Sequence, residues 1–185
     1  TLRREHREMA KLLDALERQL TEFDRGGQPD YEIIQGVIDY CLTYPDLSHH
    51  PREDLVFERL KARDPGAAKA IGDLRAEHQL LGQRTRRFAA AIRNVLLEVE
   101  IPRDSLHDVA WDFLNHYRKH ISMEESQFFP AALKTLEPDD WRAIEARADN
   151  RKDPLFGLEP EEKFEALRRS ILDWDRTQQA AGEAS

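Results

Sequence analysis

Residues 71–95 read IGDLRAEHQLLGQRTRRFAAAIRNV. Ile71, Leu74, His78, Leu81, Thr85, Phe88, Ile92 and Val95 recur at steps of three and four, the spacing that lines one face of an α-helix. The same period appears on either side of this stretch. Upstream, His6, Met9, Leu13, Leu16, Leu20 and Phe23 predict a helix from about Leu2 to Asp24, closed by Gly26-Gly27. A second helix is predicted from Asp30, a candidate N-cap, through Ile34, Val37, Cys41 and Tyr44, with Pro45 expected to kink or break it. A further helical piece runs from Glu53 to Leu60, with Asp64-Pro65-Gly66 expected to close it. Downstream, Pro102 and Asp104 open a fourth helix carrying Leu106, Ala110, Phe113, Tyr117, His120, Glu124 and Gln127, which Pro130 kinks or ends. Sustained strand alternation is missing. The expectation is an all-α, up-down-up-down four-helix bundle over residues 1–137. Trp141, Ile144, Leu155, Phe156, Phe164, Leu167, Ile171 and Trp174 predict a short C-terminal helical extension packed on it, residues 138–185, with frayed final residues Gln178 to Ser185.

Composition bounds the function. The chain has 185 residues, 40% of them hydrophobic and 35% charged, with a formal net charge of −8. A nucleic-acid surface needs clustered Lys and Arg, which this balance does not favour. A single cysteine, Cys41, rules out an internal disulfide or a thiolate metal site and reads as a small core residue. No apolar run approaches the ~18 residues of a membrane span, and no signal peptide is visible, so a cytoplasmic location is expected.

Chemistry enters through residues on the wrong faces. His6, His78 and His120 stand in apolar register on three helices, and His49 lies on the second, just past Pro45. One histidine on an apolar face is ordinarily a satisfied core residue, but one per helix is a pattern. Helix bundles build metal sites by pointing side chains inward from facing helices. Two of the four have a carboxylate four residues on: His49 with Glu53, and His120 with Glu124. A step of four advances about 400°, so each pair nearly shares a face. A buried carboxylate is costly unless paired or metal-bound, and a bridge between two cations meets that condition. His6 to His49 and His78 to His120 are separated by nearly equal lengths of chain, so the molecule reads as two hairpins, each giving His…His-x-x-x-Glu. Imidazole and carboxylate without thiolate suit iron, with manganese as a further option, better than structural zinc. Four neutral imidazoles and two carboxylates leave part of the charge of two divalent ions unbalanced, which favours an anionic oxygen bridge, oxo or hydroxo.

The set His6, His49-x-x-x-Glu53, His78 and His120-x-x-x-Glu124 resembles the hemerythrin-like (HHE cation-binding) family. Tyr44-Pro45-Asp46, His49-His50-Pro51-Arg52-Glu53-Asp54, Glu124-Glu125 with Phe129-Pro130, and Asp153-Pro154-Leu155-Phe156-Gly157 are similar to its bacterial members. The resemblance implies a non-haem centre of two iron ions that meets dioxygen, peroxide or nitric oxide, or senses iron or redox state. In one respect the chain departs from it. Oxygen-carrying hemerythrins have a second histidine on the third helix, four residues after the first, where this chain has Gly82. One iron then lacks an imidazole unless His50 or a neighbouring carboxylate fills in.

Several neighbours compete for roles. His50 is an extra ligand or an N-cap-like residue before Pro51. Glu125 stands at the i+5 position used by oxygen carriers, although helical phase favours Glu124. His116 reads as a partly exposed neighbour of the centre and His107 as surface. Ferritin-like bundles use Glu-x-x-His, and none of the 7 histidines has Glu three residues before it. No Walker A, His-Glu-x-x-His or glycine-rich dinucleotide motif appears. A metal-binding or sensing protein is therefore the leading expectation. An enzyme decomposing peroxide at the same centre is one alternative, and a metal-free helical interaction domain is another.

Overall fold

A computed structural model describes residues 1–99, 102–148, 151–157 and 161–173. The helices are α1 (Leu2–Asp24), α2 (Tyr31–Tyr44), α3 (His50–Arg63), α4 (Pro65–Ile71), α5 (Leu74–Leu96), α6 (Arg103–Met123), α7 (Phe129–Thr135) and α8 (Pro138–Glu145). A 3₁₀ turn at Glu162–Phe164 leads into a helical stretch at 165–173. No strand occurs among the described residues. Trp174 and the end expected to fray lie outside them.

The starts of α2, α4 and α5 have a local cause. Asp30 caps α2 by accepting from the amides of Glu32 (2.9 Å) and Ile33 (3.3 Å). Asp73 caps α5 through Ala76 (3.0 Å). Asp64 was expected to close a helix, and α3 does end there. Its side chain also caps a new one, α4, through Ala67 (2.9 Å). Ile71 therefore belongs to α4 and not to the long helix after it. Gly72, at φ +99°, makes the turn between them, a conformation that other residues rarely adopt.

Pro45 does not break the chain's helical path. Helical backbone continues from Tyr31 to Arg63 through a π-helical turn at Pro45–His49, closed by the His50 amide donating to the Pro45 carbonyl. A second π-helical turn, Glu124–Phe128, joins α6 to α7 in the same way, with the Phe129 amide on the Glu124 carbonyl. A proline follows each closing residue, Pro51 and Pro130. Proline lacks an N–H and its ring crowds the carbonyl four residues back, so a widened turn accommodates it without ending the helix.

The bundle is a ring. α1 packs on α2, α2 on α5, α5 on α6, and α6 on α1. Two apolar clusters fill it. The larger includes Leu12, Leu16, Val37, Phe88, Phe113 and Leu114. The smaller includes Val56, Leu60, Leu74, Phe128, Phe129 and Ala132. The histidine-bearing turns lie between the two.

Two attachments follow the bundle. α8 is pinned to α3 by the buried Asp140, which accepts from Arg59 (2.6 Å) and Arg63 (3.0 Å) and from the amide of Glu137 (3.0 Å). Farther on, Leu155, Phe164, Leu167 and Ile171 join the larger cluster. Gly36 on α2 lets Leu167 approach: a Cβ there would stand 3.2 Å from the Leu167 Cβ. Asp153 fixes this segment by accepting from the buried Tyr40 hydroxyl (2.8 Å) and from the amides of Leu155 and Phe156 (2.8 Å each). Asp153→Ala should lower unfolding free energy by about 1–3 kcal/mol, the cost of leaving such groups unpaired. Chemical denaturation checks the magnitude, and faster tryptic cleavage within 151–173 checks the location.

Candidate metal centre

His6 projects from α1, His49 closes the first π-helical turn, and His50 and Glu53 lie in the first turn of α3. His78 comes from α5, His120 from the end of α6, and Glu124 begins the second π-helical turn. All seven side chains are buried, Glu53 and Glu124 completely.

The contacts converge on the two carboxylates. Glu53 Oε1 lies 3.1 Å from His49 Nε2 and 3.3 Å from His6 Nε2, while its Oε2 lies 3.5 Å from His78 Nε2. Glu124 Oε2 lies 3.3 Å from His6 Nε2 and 3.2 Å from His120 Nε2, and its Oε1 lies 3.4 Å from His78 Nε2. Two groups result, each with ligating atoms within 4.8 Å of one another: His50, Glu53, His78 and His120 in one, His6, His49 and Glu53 in the other. Glu53 belongs to both, and Glu124 touches histidines of both.

His50 is therefore part of the cluster, not an N-cap-like residue. Its ring stacks on His78 with centroids 4.3 Å apart. The imidazole absent at Gly82 has a counterpart on α3, and the halves carry three and two histidines. Glu125 does not face the shared carboxylates and instead meets the outer nitrogen of His6. His116 contacts Glu77 (3.6 Å) and His107 contacts Asp24 (2.7 Å), both away from the cluster.

An outer layer orients four of the five rings. His6 Nδ1 donates to Glu125 (2.9 Å), His49 Nδ1 to Glu5 (2.7 Å) and His78 Nδ1 to Asp54 (2.9 Å); His50 Nδ1 lies 3.5 Å from Asp46. A carboxylate can only accept, so each contact fixes a proton on Nδ1 and turns Nε2 inward, where it can ligate once it carries no proton. Each acid is backed by an arginine: Arg3 on Glu125 (3.2 Å), Arg52 on Glu5 (2.7 Å), Arg75 on Asp54 (3.4 Å) and Arg86 on Asp46 (3.8 Å). The Tyr44 hydroxyl also donates to Glu5 (3.1 Å). Sequence reasoning assigned none of these roles, yet a signal was present. Leu2-Arg3-Arg4-Glu5-His6 and Leu74-Arg75-Ala76-Glu77-His78 repeat one pattern, and each of the two fully buried glutamates is followed by an acid, Asp54 or Glu125. Each of those acids holds the first histidine of the opposite hairpin.

The cluster fits metal binding. Among the described residues, buried polar side-chain atoms without a hydrogen-bond partner include His6 Nε2, His49 Nε2, both oxygens of Glu53, both nitrogens of His120 and Glu124 Oε2. Arg84 Nε and His116 Nε2, elsewhere, complete that set. Orphans of this kind are rare in folded proteins, and those of the cluster, His120 Nδ1 excepted, belong to the contacts around the two carboxylates.

The sequence comparison agrees with this chemistry. The family described as the hemerythrin HHE cation binding domain matches residues 1–132. The chain belongs to this hemerythrin family. No curated protein and no solved structure gives a significant match. In this hemerythrin domain the matched span ends within α7, beyond the last candidate ligand. No helix of the described residues is long and apolar enough to cross a membrane.

Protonation in the hemerythrin centre divides by neighbour. Burial pushes His6 down, but Glu124 and Glu53 outweigh it and hold the ring up at about 10. Burial likewise opposes His78, which Asp54, Glu124 and Glu53 raise to about 11. Burial dominates at His50 and His120, each lowered to about 4. For chelator-treated protein the signs follow. His6 and His78 contribute stability that is complete below their ordinary value of 6.5 and is lost as pH rises through about 10 and 11. His50 and His120 work in the opposite sense, and their contribution falls away as pH drops from 6.5 towards about 4. Thermal melts across pH should therefore peak near neutrality with losses on both sides. Metal loading at neutral pH should release protons, measurable in weak buffer. A flat alkaline limb would contradict the assignment.

Proposed function

We propose that this protein binds two iron ions, with Glu53 and Glu124 shared between them. His50, His78 and His120 serve one ion, and His6 and His49 the other. The observation carrying this reading is the pair of fully buried carboxylates, each facing imidazoles of both halves through atoms that lack hydrogen-bond partners. Left as a polar core without a cation, those atoms would cost far more than an apolar layer of the same shape. Imidazole-carboxylate donors without sulfur suit iron, with manganese the nearest competitor. When bound, such a pair supplies one-electron redox chemistry and vacant positions for dioxygen, peroxide or nitric oxide.

The chain's own residues set the conditions for that chemistry. Arg3-Glu125 and Arg52-Glu5 hold the two-histidine half, and Asp54 and Asp46 hold the other. The apolar clusters above and below keep water out. A cavity of about 430 Å³, lined by Leu2, Arg3, Arg52, Val56, Phe129 and Trp141 among others, adjoins the two-histidine half. Phe129 lines it and stacks on His6 at 5.1 Å, so small ligands enter from this side past its ring. The half with fewer imidazoles has more room for an external ligand. This supports handling of small oxygen or nitrogen species, or sensing of iron or redox state.

Elemental analysis after anaerobic iron loading should give two irons per chain, and zinc or no metal would overturn the reading. Glu53→Ala and Glu124→Ala should each lose most of the iron, because each removes a shared ligand. Glu125→Ala should retain more, with affinity lowered about 10–100-fold through the His6 ring. Peroxide turnover by the loaded protein would mark it as an enzyme. Phe129→Ala should speed the binding of azide or nitric oxide in stopped-flow traces, and an unchanged rate would place the entrance elsewhere.

A further inference from the structure

His50 and His49 are neighbours in sequence, and adjacent helical residues point about 100° apart. One backbone turn thus feeds both halves of the centre: His49 reaches Glu53 Oε1 in one, and His50 lies on His78 in the other. Stacking at 4.3 Å and 14° places the plane of the His50 ring but does not set which atom points inward. That orientation depends on what holds Nδ1. Among the described residues its acceptor is Asp46 Oδ1 at 3.5 Å, four residues back along the chain and within the π-helical turn. The other oxygen of Asp46 lies 3.8 Å from Arg86 Nη1 on α5.

This acid and this arginine meet over Gly82. A Cβ at that position would stand 3.2 Å from Arg86 Nη2 and 3.3 Å from Asp46 Oδ2. Gly82 is buried in the middle of α5, and its φ is not among the positive values of the chain. The backbone therefore does not require glycine, which is a poor helix former. What remains is the need for space. We propose that Asp46 and Arg86 form a clamp that positions His50 as the third imidazole beside His78 and His120, and that Gly82 is present to admit the clamp. The proposal rests on the di-iron reading above. Asp46 and Arg86 are positioning residues: they act through the ring of His50.

The test is iron affinity of the full chain, titrated anaerobically with ferrous ion, alongside melting of the chelated protein. Asp46→Ala should weaken one of the two sites about 10–100-fold, the usual effect of removing an outer partner of a ligand. Asp46→Asn, which keeps an acceptor oxygen, should recover part of that loss. In a His50→Ala background, Asp46→Ala should add nothing, since two residues acting through one ligand are not additive. Gly82→Ala separates metal positioning from folding. It should leave the melting temperature of the chelated protein unchanged or higher, because alanine favours the helix, yet weaken the same site severalfold by displacing the clamp. Two irons at wild-type affinity in Asp46→Ala would overturn the clamp alone. A wild-type chain that holds no iron pair would overturn the di-iron reading and the clamp with it.

Discussion

The structure turns on the burial of two carboxylates, Glu53 and Glu124, in the middle of a helical bundle. Moving an ionised carboxylate from water into an apolar interior costs several kcal/mol even after relaxation. The surrounding architecture answers that cost. Histidines converge from α1, α3, α5 and α6 and from the first π-helical turn, and each carboxylate meets nitrogens of three imidazoles. The apolar residues are accordingly split into two clusters with a polar layer between them. The rings are held in turn by acids, and the acids by arginines nearer the surface. Charge alternates outward from the centre in steps, so the innermost negative groups are not left to the low dielectric alone.

The layout is nearly two-fold, and its departures carry information. His6 corresponds to His78, His49 to His120, Glu53 to Glu124, and Asp54 to Glu125. The repeat fails at two places. Glu5 holds His49, while its counterpart Glu77 turns towards His116, so Nδ1 of His120 has no hydrogen-bond partner. His50 has no histidine counterpart on the second hairpin, where Ile121 follows His120. Together these departures place three histidines in one half of the cluster and two in the other. Two identical halves would offer no such distinction.

Much of this was legible in the residues. The three-and-four spacing marks each long helix. A histidine followed four residues later by glutamate marks the two turns that carry shared carboxylates. Helical phase also separates Glu124 from Glu125, and the structure places the two on opposite sides of the His6 ring. Three features were not legible, each for a physical reason. Prolines read as breaks because a sequence does not show that a widened turn can absorb a missing N–H, as at Pro130. His50 reads as either an extra ligand or an N-cap-like residue, because adjacent residues do not share a face and only the three-dimensional arrangement shows a target for each. The outer arginines carry no distinguishing mark in the sequence, since Asp54 and Arg75 differ from ordinary surface residues only in the neighbour they meet. The repeated Leu-Arg-x-Glu-His string was the available clue.

The exchange of acids between hairpins bears on how the protein is made. Asp54, from the first hairpin, steadies His78 of the second, and Glu125, from the second, steadies His6 of the first. Neither half of the chain contains a finished pocket, because each borrows its orienting groups from the other. As the polypeptide leaves the ribosome, the first hairpin emerges with His6 still unsupported and one shared glutamate absent. Glu124 and Glu125 follow only when nearly the whole bundle has been synthesised. A nascent chain therefore has no well-formed cage in which to trap a stray cation, and tight capture waits for the folded domain.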